Sequence, residues 1–346
     1  MEKQDIVKEY LSRFPDAKTS VLAHKIMNEV PALFPTFDAA RSSIRILRGS
    51  AGTRKSKDET FRKEKEADSA PFPKLPKPLT SLRDDWSLVK IVGDEVIAVL
   101  GDIHIPYYDK PALETAIEYI KKRNPTIIFL NGDIFDFFKI SFWQKDPRAR
   151  LFKDEINDCK QFLKWLRATF PDARIIFKEG NHELRYTNFM ITKAPELLDI
   201  NSFDITNVLE LANYGVEYVA DMRPVKFNEL VCIHGHEYRF AISNPVNPAR
   251  GLYLKAKVNA LTNHFHQSSS HSEKDIEDKV TSCWSVGCLA DLHPDFMPLN
   301  KHNHGFAIVE TSGRKNFSVS NHQIIDRIVH WLRLNAKIKK IGMCFI

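Results

Sequence analysis

The sequence has no run approaching the roughly 18 uninterrupted apolar residues of a membrane span, and its N-terminus opens on the charged MEKQDIVKEY instead of an apolar signal core. A spanning helix and a cleaved leader are therefore not expected, and the cytoplasm is the expected compartment. Cysteine is sparse: Cys159, Cys232, Cys283, Cys288 and Cys344 are scattered, odd in number and never two residues apart. That excludes a zinc knuckle or a C-x-x-C redox pair and points to free, buried thiols. No internal repeat of fixed period is present, which argues against solenoids and propellers. Neither sign of charge dominates; a net +6 permits nucleic-acid contact without requiring it, because solvated Lys and Arg faces are common. What remains is an ordinary globular composition, on a chain long enough for one large core and a small accessory module.

The organisation follows from periodicity and punctuation. Ile6, Val7, Tyr10, Leu11 and Phe14 recur at helical spacing until Pro15 stops the run. Thr19 or Ser20 can cap a second helix carrying Leu22, Ile26 and Met27, closed by Pro31. Thr36 can cap a third carrying Phe37, Ala40, Ile44 and Leu47, stopped by Gly49. Residues 1–49 thus read as a tri-helical module of the helix-turn-helix size class, with an anchoring bundle as the plainer reading. Residues 50–85, with Pro71, Pro73, Pro76 and Pro78, read as a flexible Pro- and Lys-rich linker. Residues 86–325 alternate strand-like and helical runs, the signature of an α/β domain. Residues 326–346 read as a basic amphipathic segment.

Four of the strand-like runs, at 95–100, 126–130, 174–177 and 230–233, each end in a polar cluster. The clusters are Gly101-Asp102-Ile103-His104, Asn131-Gly132-Asp133-Ile134-Phe135-Asp136, Gly180-Asn181-His182-Glu183 and His234-Gly235-His236. In open α/β sheets the functional crevice lies beyond the carboxyl ends of the strands, so these remote clusters should converge on one edge. Convergence would gather carboxylates, imidazoles and an amide oxygen, a ligand set suited to manganese, iron or zinc. Two such cations about 3.5 to 4 Å apart can acidify a water and neutralise a phosphoryl oxygen. Each motif alone is weak; their order, their strand-end placement and a later Asn263-His264-Phe265-His266 agree on a phosphate-ester hydrolase.

These residues resemble the calcineurin-like metallophosphoesterase superfamily, whose pattern is Asp-x-His, Gly-Asp-x-x-Asp, Gly-Asn-His-Glu/Asp, His and Gly-His-x-His. The resemblance covers about residues 95–310. It implies an α/β fold, a β-sandwich flanked by helices, with one divalent cation on Asp102, His104 and His266, a second on Asn181, His234 and His264, and Asp133 bridging them. It also implies hydrolysis of phosphomonoesters or phosphodiesters by a bridging hydroxide, with His182 beside the substrate as general acid and Asp136 orienting its ring. Glu183 is read as a support behind the ligands, and His236 as a further supporting group.

Two departures stand out. Asn263 replaces the family's usual glycine, and Asn tolerates left-handed backbone angles. Phe137-Phe138 follow Gly-Asp-x-x-Asp where phosphoprotein phosphatases carry Arg-Gly, which argues against a Ser/Thr protein phosphatase. Arg185 and Tyr186 follow closely enough to reach a bound phosphate, the alternative being ordinary helix surface. His271, His293, His302 and His304 fall outside the pattern and receive a structural reading. Between residues 41 and 57 six basic and no acidic residues occur, with Arg41, Arg45 and Arg48 on one helical stripe. DNA or RNA is therefore a candidate partner, and a regulatory nucleic-acid-binding protein on a weakly active phosphoesterase scaffold is the rival reading. Oligomeric state stays open.

Overall fold

Proline and glycine punctuation divides the N-terminal segment as the periodicity predicts. The computed structural model describes residues 2–49, 86–143, 151–238, 246–295 and 297–331, and places α1 at Lys3–Arg13, α2 at Thr19–Glu29 and α3 at Phe37–Leu47. Helices this short are marginal alone. They are held by one shared cluster in which Val7, Leu11, Leu22, Ile26, Phe34 and Ile44 are buried. Thr36 caps α3 as expected, its Oγ1 accepting the Ala39 N–H at 3.3 Å. The cap expected for α2 is corrected: Lys18 holds that position without a side-chain bond, and the Thr19 hydroxyl instead accepts from Arg48 Nη1 at 2.8 Å.

Arg48 also corrects the basic stripe. It is buried, and its Nη2 donates to Ala17 O at 2.8 Å, because the end of α3 closes over the α1–α2 connection. Arg41 and Arg45 are exposed. The linker at 50–85, including basic Arg54, Lys55 and Lys57, lies outside the described residues.

The chain divides into units Met1–Thr80 and Ser81–Ile346. The second runs β1 (Val89–Ile91), β2 (Glu95–Leu100), α4 (Lys110–Lys121), β3 (Ile127–Asn131), α5 (Phe152–Thr169), β4 (Arg174–Lys178), α6 (Glu183–Lys193), α7 (Ile205–Val208), β5 (Val216–Val219), β6 (Val225–Phe227), β7 (Leu230–Cys232), α8 (Pro248–Ala256), β8 (Ala260–Thr262), β9 (Ser269–Lys274), β10 (Val280–Ser285), β11 (His304–Ser312), β12 (Asn316–Ile325) and β13 (Ile328–Trp331). One sheet of seven strands has the order β13-β12-β11-β2-β3-β4-β5, and a second of six has β1-β6-β7-β8-β10-β9.

Strands β2, β3 and β4 are parallel neighbours, with Val99 opposite Phe129 and Phe129 opposite Ile176. They are apolar at nearly every position because both faces are covered. Ala98, Leu100, Ile128, Leu130, Ile175 and Phe177 pack with Leu113, Ile117 and Ile120 of α4 and Leu163 and Leu166 of α5. The alternate residues Ile97, Val99, Phe129 and Ile176 pack against Phe227, Leu261 and Trp284 of the other sheet. At about 1.5–3 kcal/mol for each large side chain fully buried, these layers fix the register that places the strand ends.

The fold is thus an α/β sandwich flanked by helices in one unit and a tri-helical module in the other. Of the segment read as amphipathic at the C-terminus, Ile328–Trp331 pairs antiparallel with β12, and residues 332–346 lie outside the described residues. No helix among the described residues is long and apolar enough to cross a membrane.

Candidate metal centre

The four polar clusters do converge, with one difference from a single-sheet arrangement. Strands β2, β3 and β4 deliver three clusters from the seven-stranded sheet, whereas β7 and β8 deliver His234 and the Asn263–His266 loop from the six-stranded one. The crevice therefore spans the end of the sandwich. Its ligand atoms gather into Asp102 with His104 and His266, and Asp133 with His234 and His264, each set within 4.8 Å. A third overlapping set is His104, Asp133 and His182. Asn181 joins the second group, its Oδ1 3.2 Å from His234 Nε2.

Backbone geometry shows what convergence costs. Asp102, His104, Asp133, His264 and His266 all have φ between 50° and 69°, a left-handed conformation uncommon outside glycine and typical of strain held at functional sites. Gly132 has φ 84°, and a Cβ there would run into His234 Nδ1, so a side chain is excluded twice over. A Cβ on Gly180 would run into the Asp133 carboxylate and backbone nitrogen.

Asn263 corrects one expectation: it does not carry the left-handed turn, which falls on His264 and His266. It is fully buried, its Oδ1 accepting from Asn131 Nδ2 at 2.8 Å, while Asn131 Nδ2 also donates to Ile233 O at 2.8 Å. The amide pair ties the two sheets beneath the site.

The donor set fits divalent cations. His234 donates Nδ1–H to Asn131 O at 2.8 Å, which leaves Nε2, 3.2 Å from Asp133 Oδ2, as the nitrogen that would face a cation. His104 turns Nδ1 to Asp136 Oδ1 at 3.1 Å, which leaves its Nε2 facing His266 Nε2 at 3.1 Å. His266 Nε2 is itself 3.3 Å from Asp102 Oδ1. Imidazole nitrogens and carboxylate oxygens crowded at such distances are the arrangement a cation resolves by replacing the protons between them, and mixed imidazole and carboxylate ligands suit borderline divalent metals.

Charge is correspondingly concentrated. Burial would raise Asp133, but the imidazoles of His182, His234 and His104 outweigh it and hold its carboxyl well below the usual range. Against burial, Asp133 and Asp102 lift His234 to about 9. His264, buried and beside His234, is pushed down to about 4.

Around these groups lies a hydrogen-bonded shell. Asp136 Oδ1 faces both His104 Nδ1 and, at 3.0 Å, His182 Nδ1; the two ring bonds keep the Asp136 carboxyl well below its ordinary value despite burial. Arg185 donates Nη1–H to Asp136 O at 2.7 Å and Nη2–H to His182 Nε2 at 2.9 Å. Burial opposes charge on His182, but Asp133 and Asp136 prevail and raise it above its ordinary value.

Glu183 is a support, as expected. Its carboxylate accepts the N–H groups of Asp133, Gly180, Ile134 and Phe135 at 2.8–3.1 Å. Burial and the Asp133 charge push it up to about 7, while the N–H groups of Phe135 and Gly180 pull it down.

Contacts decide the alternative left open for Tyr186. Tyr186 is buried and its hydroxyl donates to Phe203 O at 2.7 Å, so it belongs to the core with Phe137 and Phe152. His236 has both ring nitrogens buried without a hydrogen bond, its ring centroid 5.4 Å from that of His234. Sequence reasoning missed His302, whose ring lies 4.6 Å from His266, and Lys178 and Glu237, a buried ion pair at 2.6 Å behind His234. No motif marks His302. Lys178 is legible as a lysine closing the apolar run 175–177. Residues 144–150 and 239–245 lie outside the described residues.

A family model described as calcineurin-like phosphoesterase matches residues 96–281, more than half of the chain, and the chain belongs to that family. It is similar to the gene 54 protein of Mycobacterium phage L5, 26% identical over 49% of this chain and 69% of that protein. It is also similar to the gene 54 protein of Mycobacterium phage D29, 28% identical over 40% of this chain and 56% of that protein. Among solved structures, vacuolar protein sorting 29 from Cryptosporidium parvum aligns at 14% identity over 69% of this chain and 96% of that chain, with a TM-score of 0.39. Yfce, a phosphoesterase from E. coli, aligns at 12% identity over 69% and 100%, with a TM-score of 0.33.

The family and the overlapping ligand sets make this a metal-dependent phosphoesterase with a binuclear divalent-metal site.

Proposed function

We propose that the chain hydrolyses phosphodiesters or phosphomonoesters with His182 as the group that protonates the leaving oxygen. The observation that carries this reading is the placement of His182. Its ring packs at 4.3 Å against His104, with Nδ1 facing Asp136 and Nε2 3.7 Å from Asp133 Oδ2. The two main ligand sets are complete without it. An imidazole oriented by a carboxylate, and made easier to protonate by the Asp133 and Asp136 carboxylates beside it, is suited to general acid work.

In this reading Asp102, His104 and His266 hold one cation, Asn181, His234 and His264 hold the other, and Asp133 serves both. Bound cations supply an acidified water and neutralise the phosphoryl charge. Manganese is the first choice to test, iron and zinc being compatible with the same ligands. Asp136 fixes the His182 tautomer. Arg185 holds Nε2 while the site is empty of substrate and transfers its donors to phosphoryl oxygens when a phosphate enters, where its planar fork fits.

Leaving-group dependence tests the acid. With manganese added, His182→Ala should lose at least about 100-fold in turnover of an alkyl phosphodiester, the order expected for general acid catalysis. Bis-p-nitrophenyl phosphate, whose leaving group needs no proton, should lose much less. Equal losses on both would reject His182 as the acid, and comparison with p-nitrophenyl phosphate separates diesterase from monoesterase.

A polynucleotide is the substrate class favoured by exposed Arg41 and Arg45 on α3. Removal of residues 1–60 should weaken polynucleotide binding and leave small-diester turnover intact; unchanged binding would reject the module's role. Four described cysteines are free and buried, which accords with the reducing cytoplasm we assign to the protein.

A further inference from the structure

Lys178 ends β4 three residues before Asn181, and Glu237 follows β7 three residues after His234. The Lys178 side chain is fully buried, with Nζ 2.6 Å from Glu237 Oε1. Glu237 in turn accepts the His234 N–H through Oε1 at 3.0 Å and the Gly235 N–H through Oε2 at 2.6 Å. One carboxylate thus clamps the backbone of the His-Gly turn, and one ammonium ties that carboxylate to the strand of the opposite sheet that leads to Asn181. The His234 ring is anchored separately on Asn131 O.

A buried ion pair is a poor source of stability, since the cost of desolvating two charges offsets most of their attraction. Its location is more informative than its energy. It joins the segments bearing Asn181 and His234, and none of its hydrogen bonds goes to Asp102, His104 or His266.

We propose that Lys178 and Glu237 are positioning residues: their ion pair sets the placement of His234 against Asn181 and so governs the affinity of the second cation, leaving the first unaffected. This rests on the two-cation assignment above, and the test separates the two. Chelated full-length protein is titrated with Mn²⁺, followed by calorimetry and by electron paramagnetic resonance. The unsubstituted chain should take up two Mn²⁺ and develop the spectrum of an exchange-coupled pair; fewer than two would overturn the two-cation assignment itself.

In Lys178→Met and Glu237→Gln the second Mn²⁺ should bind roughly 10–100-fold more weakly, the usual effect of removing a partner behind a ligand. The first should keep its affinity, and the six-line spectrum of an isolated ion should persist beyond one equivalent. Equal weakening of both sites, as a merely structural role would give, or no weakening of either, overturns the proposal. Circular dichroism reports whether each variant is folded. Should Lys178→Met not fold, Glu237→Gln, which keeps its size and one acceptor oxygen, decides on the same criteria.

Discussion

Glu155 on α5 should make the stability of the larger unit depend on pH in a direction opposite to that of an ordinary surface carboxylate. The side chain is buried and accepts the Phe137 N–H. Burial, and then the Asp136 charge, push its carboxyl from 4.5 up to about 7. A carboxyl that binds its proton more tightly when folded lends stability that is complete below 4.5 and is lost as pH rises through 7. At 1.36 kcal/mol per pH unit, a displacement from 4.5 to about 7 is worth about 3 kcal/mol. Glu155→Gln keeps an acceptor for Phe137 and removes the ionisation. Relative to the unsubstituted chain, the variant should therefore gain about 2–3 kcal/mol between pH 5 and pH 8, becoming the more stable protein at the upper end. Urea denaturation followed by tryptophan fluorescence reads this directly, because all five tryptophans lie at or beyond Trp86 and none in the N-terminal helices. A stability difference that stays constant across that range would refute the burial argument, since charges elsewhere act on both proteins alike.

Glu183→Ala strands four buried N–H groups, and at about 1–3 kcal/mol for each unsatisfied donor the same fluorescence assay should show a loss of at least about 4 kcal/mol. A loss under about 1 kcal/mol would mean water replaces the carboxylate. Asp133→Asn should lower manganese-dependent diester turnover by more than about 100-fold, since a carboxylate common to two candidate ligand sets should matter at least as much as the partners behind it; chelation should abolish turnover and added Mn²⁺ restore it. In the N-terminal unit, Arg48→Met removes the donor to Thr19 Oγ1 and Ala17 O and should cost about 2–3 kcal/mol, read by amide hydrogen exchange in α1–α3. Exposed Arg41→Gln should change the same measurement by less than about 0.5 kcal/mol.

Strand ends were legible in the sequence because two signals coincide there: an apolar run with both faces covered, then a cluster of metal-ligating types. Residues 95–100 and 126–130 needed no more than that. The division between sheets was not legible, since a run such as 230–233 carries no mark of its partner strand; only pairing with β6 and β8 assigns it to the six-stranded sheet. The stripe of arginines on α3 misled for a related reason. Helical spacing puts Arg41, Arg45 and Arg48 near one face, but burial is decided by what packs over the last turn, and there the α1–α2 connection captures Arg48.

Asn263 failed in the most instructive way. Reasoning from backbone tolerance treated it as a substitute for glycine in a turn, whereas its side chain is needed, and the strain passes to the histidines beside it. Five residues of the candidate ligand sets hold left-handed φ angles at a cost of order 1–3 kcal/mol each. Uncompensated strain of that size would rival the whole stability of a domain. The compensation is on hand in groups outside the candidate ligand sets: Glu183 with its four N–H bonds, the Asn131–Asn263 amide pair, and Glu237 on the His234 turn. A site made from two sheets is held in place by residues outside the candidate ligand sets, which is why loss of these supports should be felt in metal affinity and stability before it is felt in the chemistry.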